Sequence, residues 1–229
     1  MRFFASSLAA LAMLVSAESV RADGPVLVEL FTSQGCNSCP PADAYLGDLA
    51  KRKDVVALAF HVDYWDQLGW KDPFADAAWT RRQRQYSRAL RTTQIYTPQM
   101  VIDGGVHAIG SDRASVERLI GDAAKRQRPA VALKRAPDGL DLRIDGQGEG
   151  EIWVVGYDPR HETKVPRGEN AGKTLAEFNV VRGIRQVDAW KGGALSRLLA
   201  AAELPPGAAH AVLIQEAGLG RVLAVATPP

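Results

Sequence analysis

Residues 32–43, TSQGCNSCPPAD, hold both cysteines of the 229-residue chain, Cys36 and Cys39. A Cys-x-x-Cys pair is read as a redox centre, as half of a metal site or as a small structural clip. The segments on either side decide between these readings. Upstream, PVLVELFTS from Pro25 is an apolar, β-branched run bounded by Gly24-Pro25 and Ser33-Gln34-Gly35, the pattern of a buried strand. Downstream, PPADAYLGDLAKR carries Ala44, Tyr45, Leu49 and Ala50 at helical spacing. Pro40 and Pro41 fall in the first turn, where a missing N–H costs little. The spacing therefore places Cys36 just before or at a helix N-terminus, with Cys39 a turn further in and more buried.

A second apolar run, DVVALAFHVDYW, spans Asp54 to Trp65. Two strands joined by a helix make a right-handed βαβ unit with parallel strands. Their common edge would carry the cysteines and the HVDYWD segment, the usual place for a site in an α/β sheet. A second helix is expected from Asp72 to Arg91, with Asp72 as cap and Pro73 at its first position. Trp79, Tyr86 and Leu90 share one arc of it, and Arg81, Arg84, Arg88 and Arg91 lie roughly opposite. That arc is either a basic patch for an acidic partner or a solvated face. QMVID and VHAI flank Gly104-Gly105 as a hairpin, and Thr97-Pro98 opens its first strand, a position that tolerates proline. The stretch DRASVERLIGDAAKR, capped by Ser111 or Asp112, reads as a closing helix.

The order strand, Cys-x-x-Cys, helix, strand, helix, Thr-Pro, hairpin, helix resembles a thioredoxin-fold domain over about Val26 to Arg128. FTSQGCNSCPPAD, FHVDYWD and TPQMVIDG are also similar to a family of secreted bacterial proteins with a thioredoxin-like fold and no assigned function. The resemblance implies that Pro98 is cis and packs against the cysteine pair. It also implies that Thr97 pairs with an extended substrate chain by strand addition. An acid on the first strand of thioredoxins helps move the proton of the resolving thiol, which makes Glu29 the candidate for proton transfer. The sequence departs there, with Glu for Asp and one extra residue before the first cysteine.

Thiol–disulfide exchange needs an accessible thiolate, and a helix N-terminus favours one. Cys36 is the expected attacking thiol and Cys39 the resolving one. Asn37-Ser38 between them is polar and uncharged, so the dipeptide does not fix the direction of electron flow. Asp63, Tyr64 and Trp65, with Asp66, either line a substrate groove or cover the core, and His61 reads as a core histidine. A Cu(I) or zinc site would need more donors. His61, His107, His161 and His210 have no local spacing to the pair, so neither a metal nor another cofactor is expected. A structural disulfide spanning two residues closes almost no loop and stabilises little.

Composition narrows the rest. The first residues, MRFFASSLAALAMLVSA, have the layout of a secretory signal over residues 1–22, which implies a periplasmic or secreted protein with no membrane span once it is cleaved. With 28 basic and 26 acidic residues the net charge is +2, against a nucleic-acid binder. Residues 23–128 are expected to form the thioredoxin-like domain. Residues 129–229 are expected to form a β-rich, sandwich-like one, from several short strands with turn signals. Within it, LSRLLAAAE reads as a short helix and DPRHETKVPRGENAGKT as a long polar loop suited to partner recognition. The expected function is exchange with protein thiols or disulfides in the periplasm. The alternatives are a non-enzymatic binding module with an inert disulfide and a copper-handling protein.

Overall fold

The computed structural model describes residues 24–229, so the expected signal segment lies outside the described residues. Strand β1 (Val26–Thr32) leads through the cysteine turn into helix α1 (Pro40–Leu49), then strand β2 (Val55–His61). Helix α2 (Ala77–Ala89), hairpin β3 (Gln99–Ile102) and β4 (Val106–Ile109), and helix α3 (Arg113–Ala124) follow. The second half is nearly all strand: β5 (Ala130–Ala136), β6 (Gly139–Asp145), β7 (Gly150–Lys164), β8 (Thr174–Trp190), β9 (Leu195–Ala200), β10 (Ala209–Gln215) and β11 (Val222–Ala226). Among the described residues no helix is long and apolar enough to cross a membrane.

The architecture is mixed α/β, dominated by one large mixed sheet. Its 8 strands run β11-β10-β7-β8-β2-β1-β3-β4. β1 and β2 are parallel, as their helical crossover requires, and β2 meets β8 in parallel at Ala59 and Val180. Four strands of the second half thus extend the sheet begun by β1, and that half is not a sandwich of its own. Its remaining strands, β5-β6-β9, form a 3-stranded sheet. Leu133, Leu140, Leu142 and Ile144 of that sheet pack on Ile152, Val154, Val212 and Ile214 of the large one.

Strand alternation explains the layers. Leu27 and Phe31 of β1 turn to one face, where Leu58, Phe60, Val155, Val181 and Leu213 join Trp79 and Tyr86 of α2. Val26, Val28 and Leu30 turn to the other, under Leu46 and Leu49 of α1 and Val116 and Ile120 of α3. Gly47 lets α1 approach β8, because a Cβ there would lie 2.5 Å from the Phe178 ring.

Three local expectations are corrected. α2 begins at Ala77 with Asp76 as its cap, accepting from the Ala78 N–H; Asp72 is drawn into the interior instead. LSRLLA is strand β9, paired along its length with β6, so tertiary pairing overrides its helical propensity. The polar segment after Tyr157 is loop only at residues 165–173, because Asp158 to Lys164 lie in β7 and Thr174 opens β8, the two arms of a long hairpin.

Candidate functional site

The site lies where β1 and β2 end. Cys36 and Cys39 form a disulfide. The chain turns between them, with the Cys39 N–H donating to the Cys36 carbonyl at 3.2 Å. Cys39 is itself the cap residue of α1, and its carbonyl accepts from the N–H groups of Ala42 (2.8 Å) and Asp43 (3.1 Å). Cys36 therefore stands before the helix, and Cys39 is its cap residue rather than a turn into it as the sequence suggests. Both sulfur residues are covered, at 1% and 0% exposure, whereas Asn37 and Ser38 between them are exposed. The expected difference in access between the two cysteines is absent in this disulfide state.

Thr97 and Pro98 come to the same point. The Thr97–Pro98 peptide bond is cis. The Thr97 hydroxyl donates to Cys36 Sγ at 3.2 Å and accepts from Trp65 Nε1 at 2.8 Å. Ser38 Oγ lies 3.3 Å from the same sulfur. Trp65 can pack this closely because residue 35 is glycine: a Cβ there would meet Trp65 Cβ at 2.9 Å. Of the other groove candidates, Tyr64 reaches Gln83 of α2 through its hydroxyl (3.3 Å). Asp63 is held by Thr80, whose hydroxyl donates to its carboxylate at 2.5 Å. The structure thus brings Thr97 and Trp65 to Cys36 and ties Asp63 and Tyr64 back to α2.

Glu29 turns to the α2 face with Leu27 and Phe31. One carboxylate oxygen accepts from Arg82 Nε at 2.8 Å and the other from the Tyr86 hydroxyl. Gln215 completes this buried group, donating to the Tyr86 oxygen at 2.9 Å.

A second polar cluster, which the sequence reading misses, sits directly under the cysteine turn. His61 Nδ1 lies 2.7 Å from Asp72 Oδ2, and the same carboxylate oxygen accepts from the Gln34 N–H at 2.8 Å. The Gln34 side chain donates to Glu177 of β8 at 2.7 Å and accepts from Trp70 at 2.9 Å. Asp43, one helical turn after Cys39, accepts from the Thr32 hydroxyl at 2.7 Å. Burial pushes the Asp43 carboxyl up to about 6 and the Glu177 carboxyl up to about 7. Burial opposes the charged form of His61, but Asp72, Asp43 and Glu177 outweigh it and raise the imidazole above its ordinary value. Burial also opposes the Asp72 carboxylate, and His61 outweighs it, holding Asp72 below the usual range. Among the described residues, His61 Nε2 and Glu177 Oε2 are buried without a hydrogen-bond partner.

The tip of the β7–β8 hairpin reaches the same turn. Asn170 is fully buried, and its amide donates to the carbonyls of Gln34 and Cys36, each at 2.9 Å. Exposed Glu169 accepts from the Asn37 N–H at 3.3 Å. Neither Asn170 nor Glu177 carries a sequence signal tying it to a motif more than 130 residues away. Asp43 does carry one, standing four residues after Cys39 on the same helix face. No group of His, Cys, Asp and Glu arranged to hold a metal ion occurs among the described residues.

The chain is similar to two solved structures. The X-ray crystal structure of an Agrobacterium tumefaciens protein is similar at 32% identity and a TM-score of 0.77, covering 90% of this chain and 93% of that one. HBP35 of Porphyromonas gingivalis is similar in fold alone, at 11% identity and a TM-score of 0.51 over 89% of this chain and 74% of that one. No curated protein matches the sequence. The pattern of a family described as "Protein of unknown function (DUF1223)" matches residues 27–215, and the chain belongs to that family.

Proposed function

We propose that the protein is an exported, thioredoxin-like thiol–disulfide exchange protein acting on protein thiols or disulfides of the periplasm. In this reading residues 23–128 carry the chemistry and residues 129–229 form a β-rich unit that supports it. Cys36 attacks, Cys39 resolves, and Thr97 and Pro98 shape the place where the partner chain lies. The observation that carries the reading is the Thr97 hydroxyl bonded to Cys36 Sγ from the residue before a cis proline. A donor there stabilises negative charge on that sulfur once the disulfide opens. A partner chain approaches past the exposed Asn37 and Ser38.

The step is a displacement. In the reduced protein the Cys36 thiolate attacks one sulfur of a partner disulfide and releases the other as a thiolate. Cys39, after losing its proton, attacks Cys36 Sγ. The Cys36–Cys39 bond forms, the bond to the partner breaks, and the partner leaves with both electrons as a dithiol after taking up two protons. The reverse sequence oxidises a partner dithiol.

The burial of both cysteines favours one other reading, an inert disulfide in a binding module. The reduction potential separates the two. A value of roughly −120 to −270 mV lies among working oxidoreductases, and one below about −300 mV marks a structural bond. Cys36→Ser is expected to abolish exchange and Cys39→Ser to accumulate mixed disulfides. Failure of Cys39→Ser to trap any partner, together with a potential below about −300 mV, overturns the proposal.

A further inference from the structure

From Ala77 through Ile102 the sequence has no aspartate or glutamate, yet it carries Arg81, Arg82, Arg84, Arg88 and Arg91. In a chain of net charge +2 this is a local concentration of positive charge. Arg82 is buried against Glu29. The other four are exposed on or just after α2, and among the described residues none has a carboxylate within ion-pair distance. Some exposed arginines elsewhere are paired, as Arg113 and Arg160 are with Asp48 and Glu162. Others among the described residues, such as Arg135, Arg143 and Arg167, are not, but those are scattered and do not share one element. A solvated helix face carries charged and polar residues; from Ala77 to Ala89 every charge is positive.

The geometry leads from these arginines to the disulfide. A groove of about 480 Å³ is lined by Arg84, Ser87 and Arg88 of α2 and by Thr93, Gln94 and Ile95 of the segment after it. That segment continues directly into Thr97 and cis Pro98, where the Thr97 hydroxyl meets Cys36 Sγ. Gln83 of α2 anchors it on the way by donating to the Tyr96 carbonyl at 2.7 Å. Arg84 also stands near Tyr64, beside Trp65. An extended chain with its sulfur at Cys36 would run along residues 93–97 with its side chains against Arg84 and Arg88.

We infer that the α2 arginine stripe is the recognition surface for an acidic, extended segment of the partner protein, flanking the cysteines that exchange with Cys36. The inference rests on the exchange reading above and names its substrate class. Guanidinium groups hold carboxylates in bidentate pairs, and a local positive field raises the rate of encounter with an acidic chain. An anionic membrane is the other surface that would answer to positive charge. The groove favours the peptide, because Arg84 and Arg88 line it together with residues 93–95, the segment that runs on in sequence to Thr97 and its bond to Cys36 Sγ.

The test uses the mature protein and disulfide peptides whose flanking residues are acidic, uncharged or basic. The acidic peptide is expected to exceed the basic one in kcat/KM by about tenfold or more at low salt, with the ratio collapsing as ionic strength rises. The double variant Arg84→Glu, Arg88→Glu is expected to invert that ratio. Equal turnover of all three peptides overturns the inference and leaves the exchange reading intact. If no peptide is turned over, the exchange reading falls, and the fluorescence anisotropy of a labelled acidic peptide with serine for cysteine decides this one. Tighter binding than the basic control, lost in the double variant, supports it; no difference overturns it. Binding to phosphatidylglycerol vesicles that the double variant abolishes, without any peptide preference, assigns the stripe to a membrane and overturns it too.

Discussion

The molecule buries polar groups in two places around β1 and β2, and the two are built on opposite terms. On the α2 face, Glu29, Arg82, Tyr86 and Gln215 close on themselves, with one carboxylate matched by one guanidinium and each Glu29 oxygen engaged. Under the cysteine turn, Asp43, Asp72 and Glu177 surround the single base His61. There, among the described residues, His61 Nε2 and Glu177 Oε2 are left without partners. A satisfied network fixes a fold and costs heavily to break. A cluster with excess acid has protons to give and take. The residue that the family resemblance marks for proton transfer, Glu29, lies in the closed network. The carboxyls raised toward neutral pH, Asp43 and Glu177, lie in the open one.

The largest effect is expected where the closed network is broken. Arg82→Ala leaves the Glu29 carboxylate buried at 0% exposure without its cation and should cost about 3–5 kcal/mol. Arg82→Lys should cost less, since it keeps the charge while losing the planar fork. Urea unfolding of the three proteins measures this. A loss below about 1 kcal/mol for Arg82→Ala would mean the pair is no anchor, because surface ion pairs reach that size.

How much of this was legible depends on how local the cause is. β1, α1, β2, the Thr97-Pro98 hairpin and α3 were readable because apolar period and caps act within a few residues, as the Asp112 cap of α3 does. Asp72 misled because its side chain has a distant use: it meets His61 and the Gln34 N–H, and Asp76 is left to cap α2. Residues 195–200 misled for the same reason, their pairing with β6 lying far away in sequence. In the site, Cys36, Cys39, Thr97 and Pro98 could be named from the motif order. Asn170 and Glu177 could not, since only the β7–β8 hairpin carries them to the cysteine turn.

That hairpin offers the intermediate test. Asn170→Ala removes the donor shared by the carbonyls of Gln34 and Cys36 in a fully buried position. Leaving buried acceptors unpaired costs about 1–3 kcal/mol. The expected signature goes beyond stability. The turn that holds Cys36 is released from its second-half support, so the disulfide should be reduced faster by dithiothreitol than in the parent protein. Equal reduction rates in the two proteins would show that the hairpin tip braces the fold and not the cysteine turn.

The smallest effect belongs to the open cluster and is read through pH. Asp43 and Glu177 bind their protons more tightly folded than unfolded, at about 6 and about 7 against 3.8 and 4.5. Each therefore contributes stability that is full below about pH 4 and is lost as pH rises through 6 and 7. His61, also raised, acts in the same direction at its own higher range. Asp72, lowered, contributes stability that is lost only as pH falls below the carboxylate range. Asp43→Asn and Glu177→Gln copy the protonated forms, so each should flatten the decline between pH 4 and 8. Each should also leave the protein about 1–2 kcal/mol more stable than the parent at pH 8. Urea midpoints at the two pH values test this, and an unchanged slope in both variants would mean that solvent already screens the cluster. If the slope does flatten, the stability lost by the parent above pH 6 is the cost of keeping ionised carboxyls beneath Cys39.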